Sequence, residues 1–395
     1  MISTNLSRAA PRRISVLSIT AVSFHRPHLR RCYHHQILAH ECNCAIDAEP
    51  LHRYRPGGYH PPVLGDSLGD GRYKVLHKLG WGSYSTTWAA KDQMDDRYVA
   101  FKVTTAEENR SRELKVLQAL SSLSREHPGS HHVNQMLDHF TLAGPNGSHD
   151  CIVLELVEPN VADVIDSHCK HDRLPSQAVR SISRQVLQGL DYLASSGIGH
   201  GEILLWKFPG LHSLSERDFI ARLGGPQMGL VTSADGKPLA PSVPTYIVRP
   251  SSFRYKGIQR LILCPSIKII EFGESFFDND IPSTLHTPLP VRASEIVFGD
   301  RLDHRVDLWS AGCLIFELVT GQPPFDVAML TPSMLVQQMI ELMDDELPSR
   351  WQGKWQEMKG TAAQEDGDWT LQSWLEEVYF DKDKKTEFTR DEIRL

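Results

Sequence analysis

The stretch that decides the fold is YKVLHKLGWGSYSTTW, residues 73–88. Its first seven residues resemble a β-strand and a second strand follows the glycines, so the stretch predicts a β-hairpin. Gly80 and Gly82 lie at the tip, where the absence of a Cβ lets backbone N–H groups come close to an anion. The Gly-x-Gly-x-x-Ser pattern, which ends at Ser85, is weak by itself, because an ordinary β-turn contains the same residue types.

A strand and a helix that follow the hairpin strengthen this interpretation. Residues 98–103 (YVAFKV) predict a third strand, which carries Ala100 and Lys102. About ten residues later a helix begins, with apolar residues at helical spacing and Glu113 in its first turn. A lysine on a strand and a glutamate on the adjoining helix can form an ion pair, and the lysine then binds phosphate oxygens. Together these features predict a site for nucleotide phosphates.

At this point the sequence resembles a protein kinase, and the resemblance runs from about residue 50 to the end of the chain. Residues 151–157 (CIVLELV) are similar to the last strand of the small lobe and the hinge. Residues 181–195 are similar to the long helix before the catalytic loop. Further on, VDLWSAG at 306–312 and GQPPF at 321–325 match two later kinase motifs. In the family the aspartate of VDLWSAG, here Asp307, anchors the backbone of the catalytic loop.

The resemblance implies that the chain binds ATP and Mg²⁺, with the hinge backbone holding the adenine. It implies these nucleotide-contacting residues: Gly80, Gly82, Ser85, Ala100, Lys102, Glu113, Glu155 and Val157. One departure is Thr87, which stands where kinases usually have a valine that packs on the adenine.

Three segments narrow the resemblance to the SR-protein kinases, particularly those of fungi: YRPGGYHP at 54–61, LGWG at 79–82 and HGE at 200–202. These kinases phosphorylate serines in Arg/Ser-rich proteins, so the resemblance implies a basic Arg/Ser-rich substrate or partner. Residues 341–395 contain fifteen acidic and eight basic side chains, which would steer such a partner electrostatically. The simpler interpretation of this acidic region is a solvated helix face and loop.

The residues that handle charge in phosphoryl transfer depart from the family. The resemblance places Glu202 at the catalytic base and Glu271 at the metal ligand of the Asp-Phe-Gly motif, and kinases have Asp at both positions. The best alignment also deletes four residues after Ile203, together with the Asn that binds the second metal. Without that gap Lys207 takes the place of the Asn, and a cation cannot bind magnesium. A carboxylate displaced by about 1 Å can cost on the order of a hundredfold in rate.

These departures predict a nucleotide-binding pseudokinase with weak or no transfer and impaired Mg²⁺ binding. Two alternatives stay open: an active serine/threonine kinase of the SR-protein type that tolerates Glu for Asp, and an active kinase whose gene model has lost four residues and the C-terminus. By contrast, Leu117, His200 and Phe272 occupy positions that stack between the lobes in active kinases.

The predicted fold is α+β, with a small, mostly β N-lobe and a larger, mostly helical C-lobe. The predicted divisions are a disordered or transit-like leader at 1–45, a linker at 46–70, the N-lobe at 71–158 and the C-lobe at 159–395. Within the C-lobe, the Pro- and Gly-rich residues 209–262 predict a surface insert with a short helix near 214–223. The C-lobe is expected to be truncated, because the chain stops within an amphipathic run.

Composition excludes several other classes of protein. The 395 residues are 41% hydrophobic and carry a net charge of −7, which argues against whole-chain disorder and against direct nucleic-acid binding. No apolar run approaches the length of a membrane span. Seven irregularly spaced cysteines do not form a disulfide framework, and Cys42 and Cys44 lack a second pair to complete a metal site.

The first forty residues contain six arginines and no Asp or Glu, a composition typical of an organelle transit peptide. An unstructured tail has the same composition. The family resemblance implies the cytoplasm and nucleus, so the mitochondrion is the alternative location.

Overall fold

The computed structural model describes most of the chain from residue 42 onward. The described residues are 42–108, 112–157, 173–201, 204–205, 211–251, 265–325, 330–343, 346–359, 371–380 and 386–393. Glu202, Lys207 and almost all of the leader predicted at 1–45 lie outside them. The same holds for several acidic residues of the C-terminal region: Asp344, Asp345, Glu365, Asp366 and Asp368.

The strands of the described residues fall into one large sheet and four two-stranded pairs. In chain order they are β1 (Cys42–Asn43), β2 (Ser67–Leu68), β3 (Tyr73–Gly82), β4 (Ser85–Asp92), β5 (Arg97–Thr104), β6 (Met136–Gly144), β7 (Gly147–Glu155), β8 (Ile198–Gly199), β9 (Leu204–Leu205), β10 (Met228–Leu230), β11 (Thr232–Ser233), β12 (Tyr246–Val248), β13 (Ile269–Ile270) and β14 (Phe276–Phe277).

An antiparallel six-stranded sheet, in the order β2-β3-β4-β5-β7-β6, forms the N-lobe. Side chains alternate across a strand, so successive residues of β5 face opposite sides of the sheet. Val99, Phe101 and Val103 lie in one apolar core. Ala100 and Lys102 therefore face the other side, toward the nucleotide site predicted from the sequence. The small, mostly β lobe is confirmed.

The C-lobe is mostly helical, as predicted. The helices of the described residues, in chain order, are α1 (Arg112–Ser121), which belongs to the N-lobe, and then α2 (Ser176–Ser195), α3 (Glu216–Arg222), α4 (Ser294–Phe298), α5 (Arg305–Thr320), α6 (Pro332–Met343), α7 (Ser349–Lys359) and α8 (Leu371–Trp374). Apolar residues at helical spacing on α2, such as Ile182 and Val186, share one core with Leu314 of α5. Leu117 of α1 belongs to the same core, which therefore joins the two lobes. No helix among these described segments is long and apolar enough to cross a membrane.

The predicted insert contains the short helix that the sequence indicated, with α3 at Glu216–Arg222 capped by the Ser215 hydroxyl on the Asp218 N–H at 3.2 Å. Part of the insert packs on the N-lobe. The ring of Phe219 stacks on Tyr98 of β5, with the ring centroids 3.8 Å apart. The insert is packed on the N-lobe because its apolar residues, scattered between prolines and glycines, find their partners on the sheet.

The segment predicted as a linker, 46–70, is also packed rather than extended. Tyr54 and Tyr59 are almost fully buried, in one cluster with Val231 and Ile247 of the insert. Ahead of them, β1 pairs with β11, so even the end of the predicted leader is ordered against the insert. The glycine and proline residues indicated turns here. The aromatic residues between them bury enough apolar surface to hold the segment against the insert.

Candidate functional site

The Lys–Glu pair predicted from the sequence is formed between β5 and α1. Lys102 Nζ donates to both carboxylate oxygens of Glu113, at 2.7 and 2.6 Å. Glu113 is buried, and the lysine side chain is 19% exposed, so the ammonium can still be reached from one side. The pair therefore fixes the position of the Lys102 ammonium at the face of the sheet that carries Ala100.

The predicted glycine-rich hairpin is formed by β3 and β4. Gly80 lies opposite Thr87, and Gly82 lies opposite Ser85. A Cβ built on Gly82 would meet no atom within 4 Å, so space beside this backbone is open. Thr87 lies opposite both Gly80 and Lys102 in the sheet, so the hairpin backbone and the Lys102 ammonium are in register. Backbone dipoles and a cation are the kind of donors that bind phosphate groups.

The predicted hinge follows β7. Glu155 N–H donates to Gln135 O at 3.0 Å, and its carboxylate pairs with the buried Lys268 at 2.8 Å. Lys268 comes one residue before β13, so this pair ties the hinge to the strand that precedes Glu271. Val157 is the last residue described before 173. Glu155 therefore ends β7 where the predicted hinge begins, and it is tied to the segment that precedes Glu271.

The insert packs on the face of the sheet that carries Ala100, a contact that the sequence did not predict. Ala100 and Leu156 share an apolar cluster with Leu211, Phe219 and Leu223 of the insert. The Tyr98 hydroxyl also donates to Leu214 O at 2.9 Å. Insert side chains therefore pack on the face of the sheet that carries Ala100, beside Leu156. The only sequence signal was the apolar content of a segment otherwise rich in proline and glycine.

The backbone that leads into the catalytic loop is anchored as expected. His200 N–H and Gly201 N–H donate to the two carboxylate oxygens of Asp307, at 2.7 and 2.8 Å. Burial raises the pKa of Asp307 to about 6, against the lowering effect of these two hydrogen bonds. Asp307 thus has the structural role that the resemblance implied, since it fixes where the residues that follow Gly201 begin.

The predicted stack between the lobes is present. The rings of His200 and Phe272 contact each other edge to face, with centroids 4.8 Å apart, and Phe272 shares its core with Leu117. Burial lowers the pKa of His200 to about 3, so the imidazole is neutral at physiological pH. This arrangement joins α1 to the segment after β13.

The catalytic loop is short. Strand β9 pairs with β13, with Leu204 opposite Ile270 and Leu205 opposite Ile269, and β8 pairs with β14. Only the four residues 200–203 separate β8 from β9. This agrees with the gapped alignment, in which the strand after the loop starts at Leu204. Glu202 lies within the loop but outside the described residues.

Glu271 directly follows β13, at the expected metal-binding position. Its backbone is left-handed, with φ 67° and ψ 76°, a conformation that costs a non-glycine residue on the order of 1–3 kcal/mol and is concentrated at functional sites. Mg²⁺ sites of this kind use one or two carboxylates together with substrate phosphates. Glu271 would supply one such carboxylate at the position that the resemblance implies, but the loop sequence His-Gly-Glu-Ile offers no Asn. The donor set therefore falls short of the two-ligand site that the resemblance implies.

The chain is similar in sequence to known protein kinases and in fold to a solved kinase domain. The family profile "Protein kinase domain" matches residues 73–203. A serine/threonine protein kinase of Aspergillus fumigatus is 31% identical over 71% of this chain and 66% of its own length. The serine/threonine-protein kinase SKY1 of Saccharomyces cerevisiae is 39% identical over 39% of this chain and 22% of its own length. The human SRSF protein kinase 3 is 40% identical over 35% of this chain and 25% of its own length.

The chain thus aligns with between about a fifth and two thirds of the length of these relatives. A crystal structure of a kinase domain aligns with a TM-score of 0.51 over 72% of this chain and 74% of its own length, at 19% identity, which shows the fold alone. The profile match, the relatives and the two-lobed fold together show that this chain belongs to the protein kinase superfamily, with kinases of the SR-protein type among its relatives.

Proposed function

We propose that this chain is a kinase-fold protein of the SR-protein kinase type that binds ATP but transfers phosphate weakly or not at all. The observation that carries the proposal is the length of the catalytic loop. With only four residues between β8 and β9, the chain has no room for the base and the Asn at the spacing that phosphoryl transfer requires.

Nucleotide binding is supported by the groups that contact phosphates. The Lys102–Glu113 pair holds the ammonium in place, and the glycine-rich hairpin offers open backbone beside it. These groups bind an anion through fixed charge and dipoles, so they need no metal to act. ATP binding should therefore depend little on Mg²⁺.

Weak transfer is supported by the positions that handle charge. Phosphoryl transfer depends almost entirely on positioning and electrostatic stabilisation. Both acidic positions carry a Glu, whose extra methylene displaces the carboxylate, and the second metal ligand is missing from the loop. Because these groups act as a unit, the losses do not simply add.

A basic Arg/Ser-rich protein is the proposed substrate or partner. The relatives named for this class support it, as does the excess of acidic side chains in residues 341–395. Such a partner would be attracted by long-range electrostatics even where transfer is lost, which suits a scaffold as well as an enzyme.

Two measurements test the proposal. The first is the change in Tm with ATP, in the presence and absence of Mg²⁺, where we expect a similar rise in both. The second is phosphate incorporation into an Arg/Ser-rich peptide at saturating ATP and Mg²⁺, where we expect little above background. Turnover on the order of 1–100 per second, the ordinary kinase range, would instead establish an active enzyme that tolerates Glu for Asp. The formed Lys102–Glu113 pair is the feature that favours this second candidate.

For location, we propose the cytoplasm and nucleus, with the mitochondrion as the alternative. A reporter fused to residues 1–40 separates the two. Import into mitochondria, abolished by Arg12→Glu together with Arg13→Glu, would favour the alternative, whereas a diffuse reporter would remove it.

A further inference from the structure

A segment ahead of the sheet contacts the tip of the glycine-rich hairpin. We call residues 49–60 the N-terminal clamp. The Tyr59 hydroxyl donates to Gly82 O at 2.7 Å, and the Arg53 guanidinium donates to Ser83 O. Arg53 also lies over the Tyr59 ring, 5.3 Å from its centroid. Two successive carbonyl groups of the hairpin tip are therefore held by one short segment.

The N-terminal clamp also contacts the strand that leads to the tip. Lys78 of β3 is fully buried and forms an ion pair with Glu49, which in turn accepts a hydrogen bond from the Tyr54 hydroxyl. The Lys78 ammonium lies 5.1 Å from the Trp88 ring centroid in β4. A buried ion pair is costly to break because it would leave a charge without a partner, so this contact fixes the register between the clamp and β3.

The clamp is itself attached to the rest of the N-lobe. Gly57 N–H donates to Asn146 O at 2.7 Å, and Glu107 N–H donates to Gly57 O at 2.8 Å. The Asn146 side chain donates to Tyr59 O at 2.6 Å. These bonds connect the clamp to the turn between β6 and β7 and to the residues after β5. The N-terminal clamp is therefore fixed to the N-lobe and can hold the hairpin in place.

Holding the carbonyls determines where the amides point. In a trans peptide the C=O and the following N–H are antiparallel, and the described residues contain no cis peptide. Because Gly82 O and Ser83 O point toward the clamp, the N–H groups of Ser83 and Tyr84 point away from it. Tyr84 O is held as well, by Thr105 N–H at 2.8 Å. The tip thus has three successive carbonyls fixed from outside the hairpin.

We propose that the N-terminal clamp sets the position of the glycine-rich hairpin for nucleotide phosphates, and that Tyr59 and Arg53 are positioning residues for ATP binding. The inference rests on the proposed ATP binding for its effect on affinity, but not for its effect on the hairpin itself. Neither side chain needs to touch the nucleotide, since each acts through the backbone whose amides would do so.

The test compares Tyr59→Phe with the unchanged chain. This substitution keeps the buried ring and removes only the hydroxyl that donates to Gly82 O. Tyr246→Phe is the matched control. It also removes a tyrosine hydroxyl from a part-buried hydrogen bond, but this hydroxyl accepts from Leu64 N–H at 2.9 Å, away from the hairpin. Arg53→Gln is a second variant, which keeps the test informative where Tyr59→Phe folds poorly.

The first readout is hydrogen–deuterium exchange of residues 80–86 in the ligand-free chain. We expect faster exchange there in Tyr59→Phe and Arg53→Gln and no change in Tyr246→Phe. Unchanged exchange in both clamp variants would overturn the proposal, whether or not the chain binds ATP.

The second readout is the Kd for ATP compared with the Kd for adenosine, which has no phosphates. Loss of one hydrogen bond predicts about tenfold weaker ATP binding in Tyr59→Phe, with adenosine binding unchanged. An equal loss for both ligands would show a general structural defect and overturn the positioning role. If the unchanged chain binds adenosine but not ATP, or neither, the proposed function fails, and the exchange experiment alone decides the role of the clamp.

Discussion

The nucleotide side of the cleft and its phosphoryl-transfer side differ in how far they depart from a working kinase. On the nucleotide side, Lys102 and Glu113 form their pair at 2.6 Å, and the glycine-rich hairpin is held at its tip. On the transfer side, the loop between β8 and β9 has four residues, and Glu271 takes the place of an aspartate. One half of the machinery is retained, and the other is altered.

The difference follows from what each group contributes to the fold. Asp307 satisfies two buried backbone amides, and His200 fills the core beside Phe272. Removing such groups leaves buried donors unsatisfied or a cavity, at about 1–3 kcal/mol for each unsatisfied group. A catalytic base or a metal ligand contributes to the rate of transfer but little to folding. Groups that serve only transfer can therefore differ from the family pattern without loss of the fold.

The largest expected effect is the repair of the transfer side. Restoring the four-residue segment together with Glu202→Asp and Glu271→Asp should raise phosphate incorporation into an Arg/Ser-rich peptide by several orders of magnitude, on the order seen when parts that act as one unit are restored together. The two Asp substitutions alone should recover little, because the loop would still lack its metal ligand. Adding Lys102→Ala to the repaired chain is the control and should abolish the gain. A large recovery from the two substitutions alone would show that loop length is not limiting.

The second-largest expected effect concerns the packing of the insert on the N-lobe sheet. Phe219 is fully buried against Tyr98, so Phe219→Ala should lower the free energy of unfolding by about 3–5 kcal/mol in urea denaturation. Leu230→Ala is the control on the same insert, since Leu230 is 76% exposed, and it should change stability by less than about 0.5 kcal/mol. Equal effects of the two variants would contradict the packing of the insert on the sheet.

The third effect concerns the retained ion pair. ATP at about a hundredfold above its Kd should stabilise the chain by about 2.7 kcal/mol, and Lys102→Ala should remove most of that gain. The measurement is Tm with and without ATP. Lys237→Ala removes an exposed lysine from the insert and should leave the ATP-induced shift intact. A full shift in Lys102→Ala would place the nucleotide elsewhere.

The smallest effect compares the acid stability of the two regions. Burial lowers the pKa of His60 in the N-lobe to about 4 and that of His200 on the transfer side to about 3. The folded state disfavours protonation of both, so their contribution to stability is complete above pH 6.5 and is lost as the pH falls toward 4 and 3. By linkage each histidine should cost about 2 kcal/mol of stability at pH 5 relative to neutral pH.

His60→Phe and His200→Phe, followed by urea denaturation between pH 7 and pH 5, separate the two contributions. Each substitution should reduce the loss of unfolding free energy between pH 7 and pH 5 by the contribution of the histidine that it removes. An unaltered slope in either variant would mean that the corresponding histidine remains neutral in the unfolded chain or is already charged in the folded one.

Local patterns predicted several of the elements that surround the candidate site. The hairpin, the strand with Lys102 and the helix with Glu113 were readable because each depends on spacing within about ten residues. The Asp307 anchor and the strand at Leu204–Leu205 were predicted from the family resemblance. A resemblance implies contacts between residues far apart in the sequence, which composition alone does not predict. The two-lobed α+β fold was predicted on the same grounds.

The two lobes, the Lys102–Glu113 pair and the departures from the family at Glu202 and Glu271 could thus be predicted from the amino-acid sequence. The folded structure was needed to show that residues 49–60 contact the tip of the glycine-rich hairpin and that the insert packs on the face of the sheet that carries Ala100. The Tyr246 hydroxyl meets Leu64 across 182 residues of sequence, and Tyr59 meets Gly82 across 23. Such contacts leave no periodic signal, because a single tyrosine in a turn-rich segment is compatible with solvent or with burial. Whether such a tyrosine is buried depends on which apolar surface of the folded sheet lies next to it.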